Sequence, residues 1–264
     1  MPRTRSSPRA TIPITFCLLS LFACAGTVSA QDDQRPTPPE PRGARDFLFG
    51  QPHGSVGVRG GWIFARAGSD LFDFVQQQLT LDKKDFNTPA LGIDLSIAIK
   101  PRVDVAFGFE FSRAGKASEY RDYVDNKLLP ITQDTKLHER NFTGSVRFAL
   151  APRGTTVSRF AWVPRSVVPY VGAGAGALWY KFEQNGDFVD YVDLSVFSDY
   201  FSSEGFAPSA HVFGGTDIHL YRVLYLTVEG RYVWAHAKLG KDFIDFDPID
   251  LAGLRLSSGV HVVF

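Results

Sequence analysis

The sequence predicts an all-β protein, an eight-stranded antiparallel up-and-down transmembrane β-barrel with long extracellular loops and short periplasmic turns. Three observations favour this class. From Gly54 onward, apolar residues recur at every second position, which is the period of a strand with one apolar face. The runs span about 9 to 12 residues, the length that a tilted strand needs to cross a membrane. Short and long connections alternate between the runs, which is the pattern of membrane barrels.

The composition fits this fold class. Aromatic residues make up 14% of the 264 residues, with 23 Phe and 24 Gly against a single Met. Such a bias is typical of strands rather than of packed helices. Beyond the first 30 residues, no run approaches the roughly 18 consecutive apolar residues of a membrane-spanning helix. The composition therefore excludes a polytopic helical membrane protein.

Residues 1–30 are predicted to be a signal peptide. Three arginines precede an apolar stretch over about 12–25, and a small-x-small cleavage site ends at Ala30. Both cysteines, Cys17 and Cys24, lie in this segment, so the mature chain would have no disulfide or thiolate metal site. Lipidation of Cys24 is a weaker alternative. Losing three of the 28 basic residues leaves 25 against 28 acidic ones, and this balance suggests no nucleic-acid partner.

Residues 31–50 are predicted to be a proline-rich periplasmic tether, and residues 51–264 are predicted to be the outer-membrane barrel domain. The tether is charged and nearly free of large apolar residues, so it cannot bury a core of its own. Export by the signal peptide would place the barrel in the cell outer membrane of a Gram-negative-type bacterium.

The second and third strands have the clearest patterns. Residues 91–99 place only Leu and Ile on one face, and residues 103–111 repeat the alternation with Val and Phe after the turn 100–102. Six further runs follow the same rule, at 56–64, 142–150, 171–179, 210–218, 224–234 and 254–264. The total of eight is even, as is usual for a single-chain membrane barrel.

Aromatic positions give a separate check, because Trp and Tyr collect where the membrane meets water. If the odd-numbered strands run outward, the external rim collects Trp62, Phe64, Phe111, Trp179, Tyr232 and Trp234. The long connections at 65–89, 114–138, 182–207 and 236–250 then lie outside the cell. The connection over 151–168 is the exception, since it is too long for a minimal periplasmic turn.

Together these features resemble the small bacterial outer-membrane β-barrel family, which includes OmpA-type, OmpW-type and opacity-type proteins. The resemblance rests on the signal peptide, the eight alternating runs, the Gly- and Ala-rich stretch 169–176 and the final Phe264. It implies that outer-membrane lipid surrounds the barrel and that the outer-membrane assembly machinery reads Phe264 in the last strand. The OmpW-type resemblance also implies passage of a small apolar solute.

Charges on the inward faces predict a buried network. An eight-stranded barrel is only wide enough for its own side chains, so opposite charges must pair. We expect Arg59 to pair with Asp94, and Glu229 to pair with Arg231 or Arg255. The predicted network comprises Arg59, Asp94, Glu110, Arg147, Glu229, Arg231 and Arg255. A structural role is favoured over a proton or ion path, and an open water-filled pore is disfavoured.

The first long connection predicts a short amphipathic helix. Leu71, Val75 and Leu79 recur at helical spacing behind Ser69, a residue type that caps helices. The helix would lie on the barrel mouth or on the lipid surface.

Signals for catalysis, cofactors and metals are weak, so no site of any of these kinds is predicted. Gly172-x-Gly174-x-x-Ala177 matches a dinucleotide fingerprint, but strand residues follow it where a helix is required. No spacing brings a serine, a histidine and an acid together among His53, His138, His211, His219 and His236. The acidic loops lack the Gly and Glu spacing of an EF-hand, which favours solvated surface over a Ca²⁺ or Mg²⁺ site.

Aromatic residues in the long loops carry the functional hypothesis. Such side chains are costly in water, so they should pack together, cap the barrel or engage a partner. Phe188, Tyr191, Phe197 and Phe246 are expected to line the barrel mouth. We therefore expect a non-enzymatic protein whose loops bind a surface partner or admit a small hydrophobic ligand. The alternatives are a lipid-modifying enzyme of the lipid A deacylase type and a purely structural barrel, and a soluble lipocalin-like barrel is a rival fold.

Overall fold

The structure is a computed structural model that describes residues 47–264. The predicted signal peptide and the tether up to residue 46 lie outside these residues. The strands are β1 (Gly54–Ala65), β2 (Thr88–Lys100), β3 (Val103–Val124), β4 (Pro130–Ala149), β5 (Gly154–Ser158), β6 (Ala161–Pro164), β7 (Val167–Val189), β8 (Val196–Tyr221), β9 (Leu224–Ala237), β10 (Ile249–Asp250) and β11 (Gly253–Val263). The helix α1 spans Asp70–Gln78, and 3₁₀ turns span Lys83–Phe86 and Lys241–Phe243.

Eight of the strands form a closed antiparallel ring. The order is β1-β2-β3-β4-β7-β8-β9-β11, and β11 pairs back onto β1 from Val263 opposite Ser55 to Gly253 opposite Ala65. Each wall strand therefore has two hydrogen-bonded neighbours, and the wall has no free edge over its common length. The predicted eight-stranded up-and-down barrel is confirmed, while β5, β6 and β10 are short additions to it.

The wall has an apolar outer face and a polar inner face over the height predicted to span the membrane. Val58, Leu91 and Ile93 point outward and are exposed, whereas Ser96 and Thr143 point inward and are buried. The six rim aromatics named above lie on outward positions at a similar height of the wall, near the extracellular ends of β1 and β9 and in the middle of the longer strands β3 and β7. This arrangement suits a wall that meets hydrocarbon outside and a narrow lumen inside.

Two connections predicted to be long loops are in fact continuations of the wall. β3 and β4 stay paired up to Glu119 opposite Thr132, and β7 and β8 stay paired up to Val189 opposite Val196. Only the turns 125–129 and 190–195 remain. We call the paired parts beyond the aromatic rim, residues 112–138 and 180–205, the extracellular hairpins.

At the rim, the apolar residues change from the outer face of the wall to its inner face. The sequence pattern that predicted the strands, apolar residues on the outer face, therefore stops at the rim. Below the rim, the outward residues are apolar. Above it, His138 and Lys181 point outward, while Leu137 and Phe182 are buried on the inner side. The strands continue, but the run of outward apolar residues stops where water replaces lipid.

The predicted helix is confirmed as α1, and it lies inside the barrel mouth. Leu71, Val75 and Leu79 are all buried there. Ser69 precedes the helix but makes no capping hydrogen bond with its side chain. Its hydroxyl instead accepts the N–H of Asp250 at 3.3 Å, so it ties the start of the helix to the last extracellular loop. No helix among the described residues is long and apolar enough to cross a membrane.

We call the core around α1 the apolar plug. It contains helix residues, inward wall residues of β3, β4, β7, β8 and β9, and residues of the last extracellular loop. Its members are Ala67, Leu71, Phe72, Val75, Leu79, Leu81, Phe86, Ala114, Leu137, Leu178, Tyr180, Phe182, Ala207, Val233, Ala235, Ala237, Phe243, Ile249 and Leu251. Edge-to-face contacts of Phe72 with Phe86 and Phe182 join the helix to the 3₁₀ turn and to β7.

The long periplasmic connection folds as the hairpin β5–β6. Leu48, from the described end of the tether, pairs with Trp162 through two backbone hydrogen bonds of 2.8 and 3.0 Å. Trp162 is buried. The hairpin therefore contacts both Leu48 and the residues that line the periplasmic mouth of the barrel.

Candidate functional site

The first candidate is the network of charges in the lumen, which extends from the periplasmic mouth up to the aromatic rim. The structure places Arg59 of β1 against Asp94 of β2, with Nη1 and Oδ1 2.6 Å apart. Arg59 also lies 3.5 Å from Glu110 of β3. Both contacts follow from the register. Asp94 is a diagonal neighbour of Arg59 on the adjacent strand, and Gly92, which stands between Arg59 and Glu110, leaves room for the Arg59 side chain to reach β3.

Arg255 of β11 forms the most buried part of this network. Its guanidinium contacts Glu110 and donates to Glu139 at 2.9 Å, from across the lumen. The side chain is only 4% exposed. It does not meet Glu229, for which Arg231 and Arg255 were the two partners considered from sequence. Glu229 instead accepts from Arg231 at 2.8 Å and from the Tyr170 hydroxyl at 2.9 Å.

Nearer the periplasm, Arg147 bridges Asp104 and Asp217 at 2.9 and 3.0 Å. Arg153, which immediately precedes the β5–β6 hairpin, reaches the same Asp104 carboxylate at 2.6 Å. Only small cavities of about 60 and 40 Å³ remain among these side chains. The lumen is thus filled by paired charges, as expected for a barrel of this strand number.

Four members of the network were missed from sequence. Asp104 and Asp217 lie at inward positions of recognised strands, so the alternation could have identified them. Glu139 fell between the predicted connection 114–138 and the run 142–150, and Arg153 fell in the long periplasmic connection. No local signal could have brought those two into the lumen.

The extracellular part of the lumen is filled by the apolar plug, and the buried Asp250 at this end faces Arg66 at 3.6 Å and His236 at 3.4 Å. Leu178, Tyr180 and Phe182 of β7 pack against it and have essentially no exposure. The Tyr180 hydroxyl donates to the backbone carbonyl of Lys238 at 2.8 Å, which holds the last extracellular loop over the mouth. The plug therefore closes the barrel above the charged network.

The predicted loop aromatics separate into two groups. Phe188 is buried, at 8% exposure, and packs against Phe197 and Phe201. Phe246 packs on the edge of the plug and contacts Phe74. Tyr191 and Phe197 remain exposed. Together they do not line an open passage, since two of the four belong to the packed cover of the barrel.

The tips of the extracellular hairpins form the second candidate site. Leu128 and Leu194 both adopt left-handed backbone conformations, with φ of 61° and 60°. This conformation costs a Leu residue about 1 kcal/mol, whereas Gly or Asn adopts it readily. Both side chains nevertheless point into solvent, at 81% and 60% exposure.

Aspartates fix both tips. Asp125 accepts hydrogen bonds from the N–H groups of Lys127 and Leu129, each at 2.7 Å. At the other tip, Asp190 accepts from the Val192 N–H at 2.8 Å, and Asp193 accepts from the Ser195 N–H at 2.9 Å. Hydrogen bonds from Ser195 hold the pKa of Asp193 below its ordinary value. These side chains shape the turns, and within residues 47–264 no group of three potential ligands is arranged to hold a metal ion.

An aromatic contact joins the two tips. The rings of Tyr123 and Tyr191 meet edge to face, with centroids 6.0 Å apart. Exposed apolar side chains surround this contact. They are Val124, Leu128, Leu129, Val192 and Leu194. We call these five residues and Tyr191 the tip patch.

Serine and histidine meet once in the lumen, where Ser145 Oγ and His211 Nε2 are 2.8 Å apart. Both residues are buried, and His211 Nδ1 has no hydrogen-bond partner among the described residues. His236 faces Asp250 at 3.4 Å near the extracellular rim, but no serine in the described chain bonds to it. Neither place assembles a nucleophile, a base and an orienting acid.

Comparisons with known proteins place the chain beside small outer-membrane barrels. It is similar to the N-terminal β-barrel domain of Pseudomonas aeruginosa OprF, with 13% identity, 81% of this chain and 100% of that chain covered, and a TM-score of 0.35. Neisserial surface protein A gives 16% identity, 80% and 96% coverage and a TM-score of 0.43. Ail of Yersinia pestis gives 16% identity, 79% and 99% coverage and a TM-score of 0.41.

No family model matches the chain, and no curated protein matches it. At such low identities and TM-scores, the likenesses carry no argument about function. The assignment of the fold therefore depends on the strand pairing and on the two faces of the wall.

Proposed function

We propose that this chain is a non-enzymatic outer-membrane protein that binds a surface partner through its tip patch. The observation that carries the proposal is the pair of leucines held in left-handed turns with their side chains in water. This arrangement does not stabilise the fold, because Asn or Gly would form the same turns with less backbone strain and without an exposed apolar group. Strained residues that the surrounding structure fixes are typical of functional surfaces.

The chemistry of the tips indicates the kind of partner. Four aspartates border the apolar centre, and Lys127 is a positively charged residue near them. The aspartates are Asp122, Asp125, Asp190 and Asp193. The Arg121 guanidinium is turned away, since it donates to the Gln76 carbonyl at 3.1 Å. A complementary partner would present an apolar contact surface with basic groups at its border.

Surface binding is favoured over solute passage by the packing of the lumen. An apolar solute would have to displace the plug and then cross the Arg59 and Arg255 ion pairs. The hairpins, in contrast, hold the tip patch well beyond the aromatic rim without any rearrangement. The proposal also places the protein in the outer membrane of a Gram-negative-type bacterium, after export by the predicted signal peptide.

The same proposal includes two partners of the barrel itself, the surrounding outer-membrane lipid and the assembly machinery. Phe264 lies at the periplasmic end of the seam between β1 and β11. Its N–H donates to the Gly54 carbonyl at 2.9 Å, and its own carbonyl accepts from His53 and Gly54. A machinery that reads the last strand would contact Phe264 before these hydrogen bonds form.

The test is to replace both leucines by asparagine, as Leu128→Asn with Leu194→Asn. Asn tolerates the left-handed conformation, so the free energy of unfolding should stay within about 1 kcal/mol of the original. Cells displaying the full chain would be offered beads coated with octyl chains and primary amines. We expect adherence to these beads to fall at least tenfold in the double variant, as expected for loss of central apolar contacts.

The matched control is Ile244→Asn, which removes an exposed apolar side chain from the last extracellular loop, outside the tip patch. It should leave adherence unchanged. Heat-modifiable migration on a gel would verify that each variant forms its barrel. Equal adherence of the double variant and the original chain would show that the tip patch is not a binding surface.

A further inference from the structure

A row of basic side chains lies on the outer face of the wall, immediately beyond the aromatic rim. In the register, Arg113 of β3, His138 of β4 and Lys181 of β7 stand opposite one another. The next rung toward the membrane holds Phe111, Arg140 and Trp179. Since two residues of a strand advance about 6.7 Å, the row lies within one rung of the rim aromatics.

Arg140 links the rim to the row. Its guanidinium lies over the Trp179 ring, 4.7 Å from the centroid, and its side chain is exposed on the lipid side. Lys136 lies one rung above His138 on the same strand and outer face. We call Arg113, Lys136, His138, Arg140 and Lys181 the basic row.

Acidic side chains on the same outer face lie beside the two lysines of the row, whereas the two arginines make no ion pair among residues 47–264. In the register, Glu204 of β8 stands opposite Lys181. Glu183 contacts Lys181 at 2.8 Å, His138 at 3.4 Å and the Tyr200 hydroxyl. Burial acts to raise the pKa of Glu183, but hydrogen bonds from Lys181 and Tyr200 outweigh it and hold this pKa below its ordinary value. Glu183 therefore stays ionised and engages Lys181. Among residues 47–264, Arg113 and Arg140 make no ion pair, and Lys136 has only Asp134 at 4.0 Å.

His138 adds no further positive charge near neutral pH. Burial and the neighbouring charge of Arg113 lower the pKa of its ring. The row thus carries four permanent cations, and Asp134, Glu183 and Glu204 lie beside its two lysines on the same outer face. Arg113 and Arg140 are the cations of the row that make no ion pair among the described residues, and they lie one rung apart on neighbouring strands.

We propose that the basic row binds the phosphate groups of a lipid in the outer leaflet of the membrane. Rim aromatics mark the boundary between hydrocarbon and water, so the row stands at the height of the headgroups. Arginine and lysine at this height attract anionic headgroups, and arginine can bind phosphate with two parallel hydrogen bonds. The acyl chains of the same lipid would lie on the apolar wall below Phe111 and Trp179.

The experiment uses the full mature chain folded in zwitterionic detergent and titrated with diphosphorylated lipid A. Native mass spectrometry would count the lipid retained on each barrel. The double variant Arg113→Gln with Arg140→Gln removes the two unpaired cations, and we expect its apparent affinity for the lipid to fall roughly tenfold. Lipid A stripped of both phosphates should bind the original chain as weakly as the double variant binds the intact lipid.

The matched control is Lys84→Gln with Lys241→Gln, which changes the net charge equally at exposed lysines outside the basic row. It should retain lipid like the original chain. Heat-modifiable migration would confirm that all variants are folded. The proposal is overturned if the double variant keeps its affinity or if the dephosphorylated lipid binds equally well. Tip-patch variants should retain the lipid whether or not they lose adherence, so the two proposals fail separately.

Discussion

The periplasmic and extracellular parts of the barrel interior are built in opposite ways. From the periplasmic mouth up to the aromatic rim, Arg59, Arg147 and Arg255 pair with buried carboxylates, and little empty volume remains. Toward the outside, α1 and the inward residues of the same strands form an apolar plug. One continuous wall therefore encloses two different kinds of core.

The difference shows that the medium outside the wall, lipid or water, determines whether polar or apolar side chains fill the interior. In the membrane, apolar side chains already find an apolar surrounding outside, so burying them in the lumen would gain little. Beyond the rim, water surrounds the hairpins, and the hydrophobic effect drives apolar groups to the inside. The extracellular hairpins are accordingly packed like a soluble protein.

The largest effect is expected in the charged part, from Arg255→Leu. The substitution leaves Glu110 and Glu139 buried without their main partner, and it should lower the free energy of unfolding by about 3–5 kcal/mol. Urea titration of the chain folded into lipid vesicles, followed by tryptophan fluorescence, would measure it.

The companion variant Arg255→Leu with Glu139→Gln gives the control, because Arg255 is the ion-pair partner of Glu139 among the described residues. Removing both charges should recover a large part of the lost stability. A cost below about 1 kcal/mol for the single variant would contradict the buried network.

A smaller effect is expected in the plug, from Phe72→Ala. Phe72 is 1% exposed and contacts both Phe86 and Phe182, so its truncation should cost about 3 kcal/mol. Phe74 is on the same helix but is 39% exposed, and Phe74→Ala should cost less than about 1 kcal/mol. Hydrogen exchange would locate the loss in α1 and the extracellular hairpins. Equal costs at the two positions would mean that α1 is not packed into the mouth.

The smallest effect is expected at the junction of the helix and the last loop, from Ser69→Ala. The lost hydrogen bond to the Asp250 N–H should cost about 0.5–1 kcal/mol. Because Ser69 does not cap α1, Ser69→Asp should fail to stabilise the helix, unlike an ordinary N-cap exchange. A gain of stability in Ser69→Asp, measured by the same urea titration, would show that capping is its role.

The sequence was sufficient to predict the wall but not the hairpins. The alternation from Leu91 to Ile99 persists because lipid and lumen impose opposite demands on neighbouring residues. At the rim these demands reverse, so the outward position passes from Phe142 to Arg140 and His138 while the strand continues. A search for one apolar face ends at this reversal, and the extensions of β3, β4, β7 and β8 were therefore interpreted as loops.

The candidate sites were predictable to the extent that they depend on alternation. Arg59 and Asp94 meet because neighbouring strands place them side by side, and this relation could be deduced. Glu139 and Arg153 reach the network through long-range closure of the barrel, which local pattern does not encode. The tip patch depends on left-handed turns at Leu128 and Leu194, where residue preferences point away from the observed conformation.

The seam between β1 and β11 joins segments from opposite ends of the described chain. Bringing such distant segments together carries a large loop-closure entropy, and contacts of this range form slowly in folding. Until they form, the incomplete sheet keeps two open edges, each able to pair with a strand of another molecule. The slow closure of the seam between β1 and β11 removes both open edges. The same contact therefore ends the risk that incompletely folded copies associate.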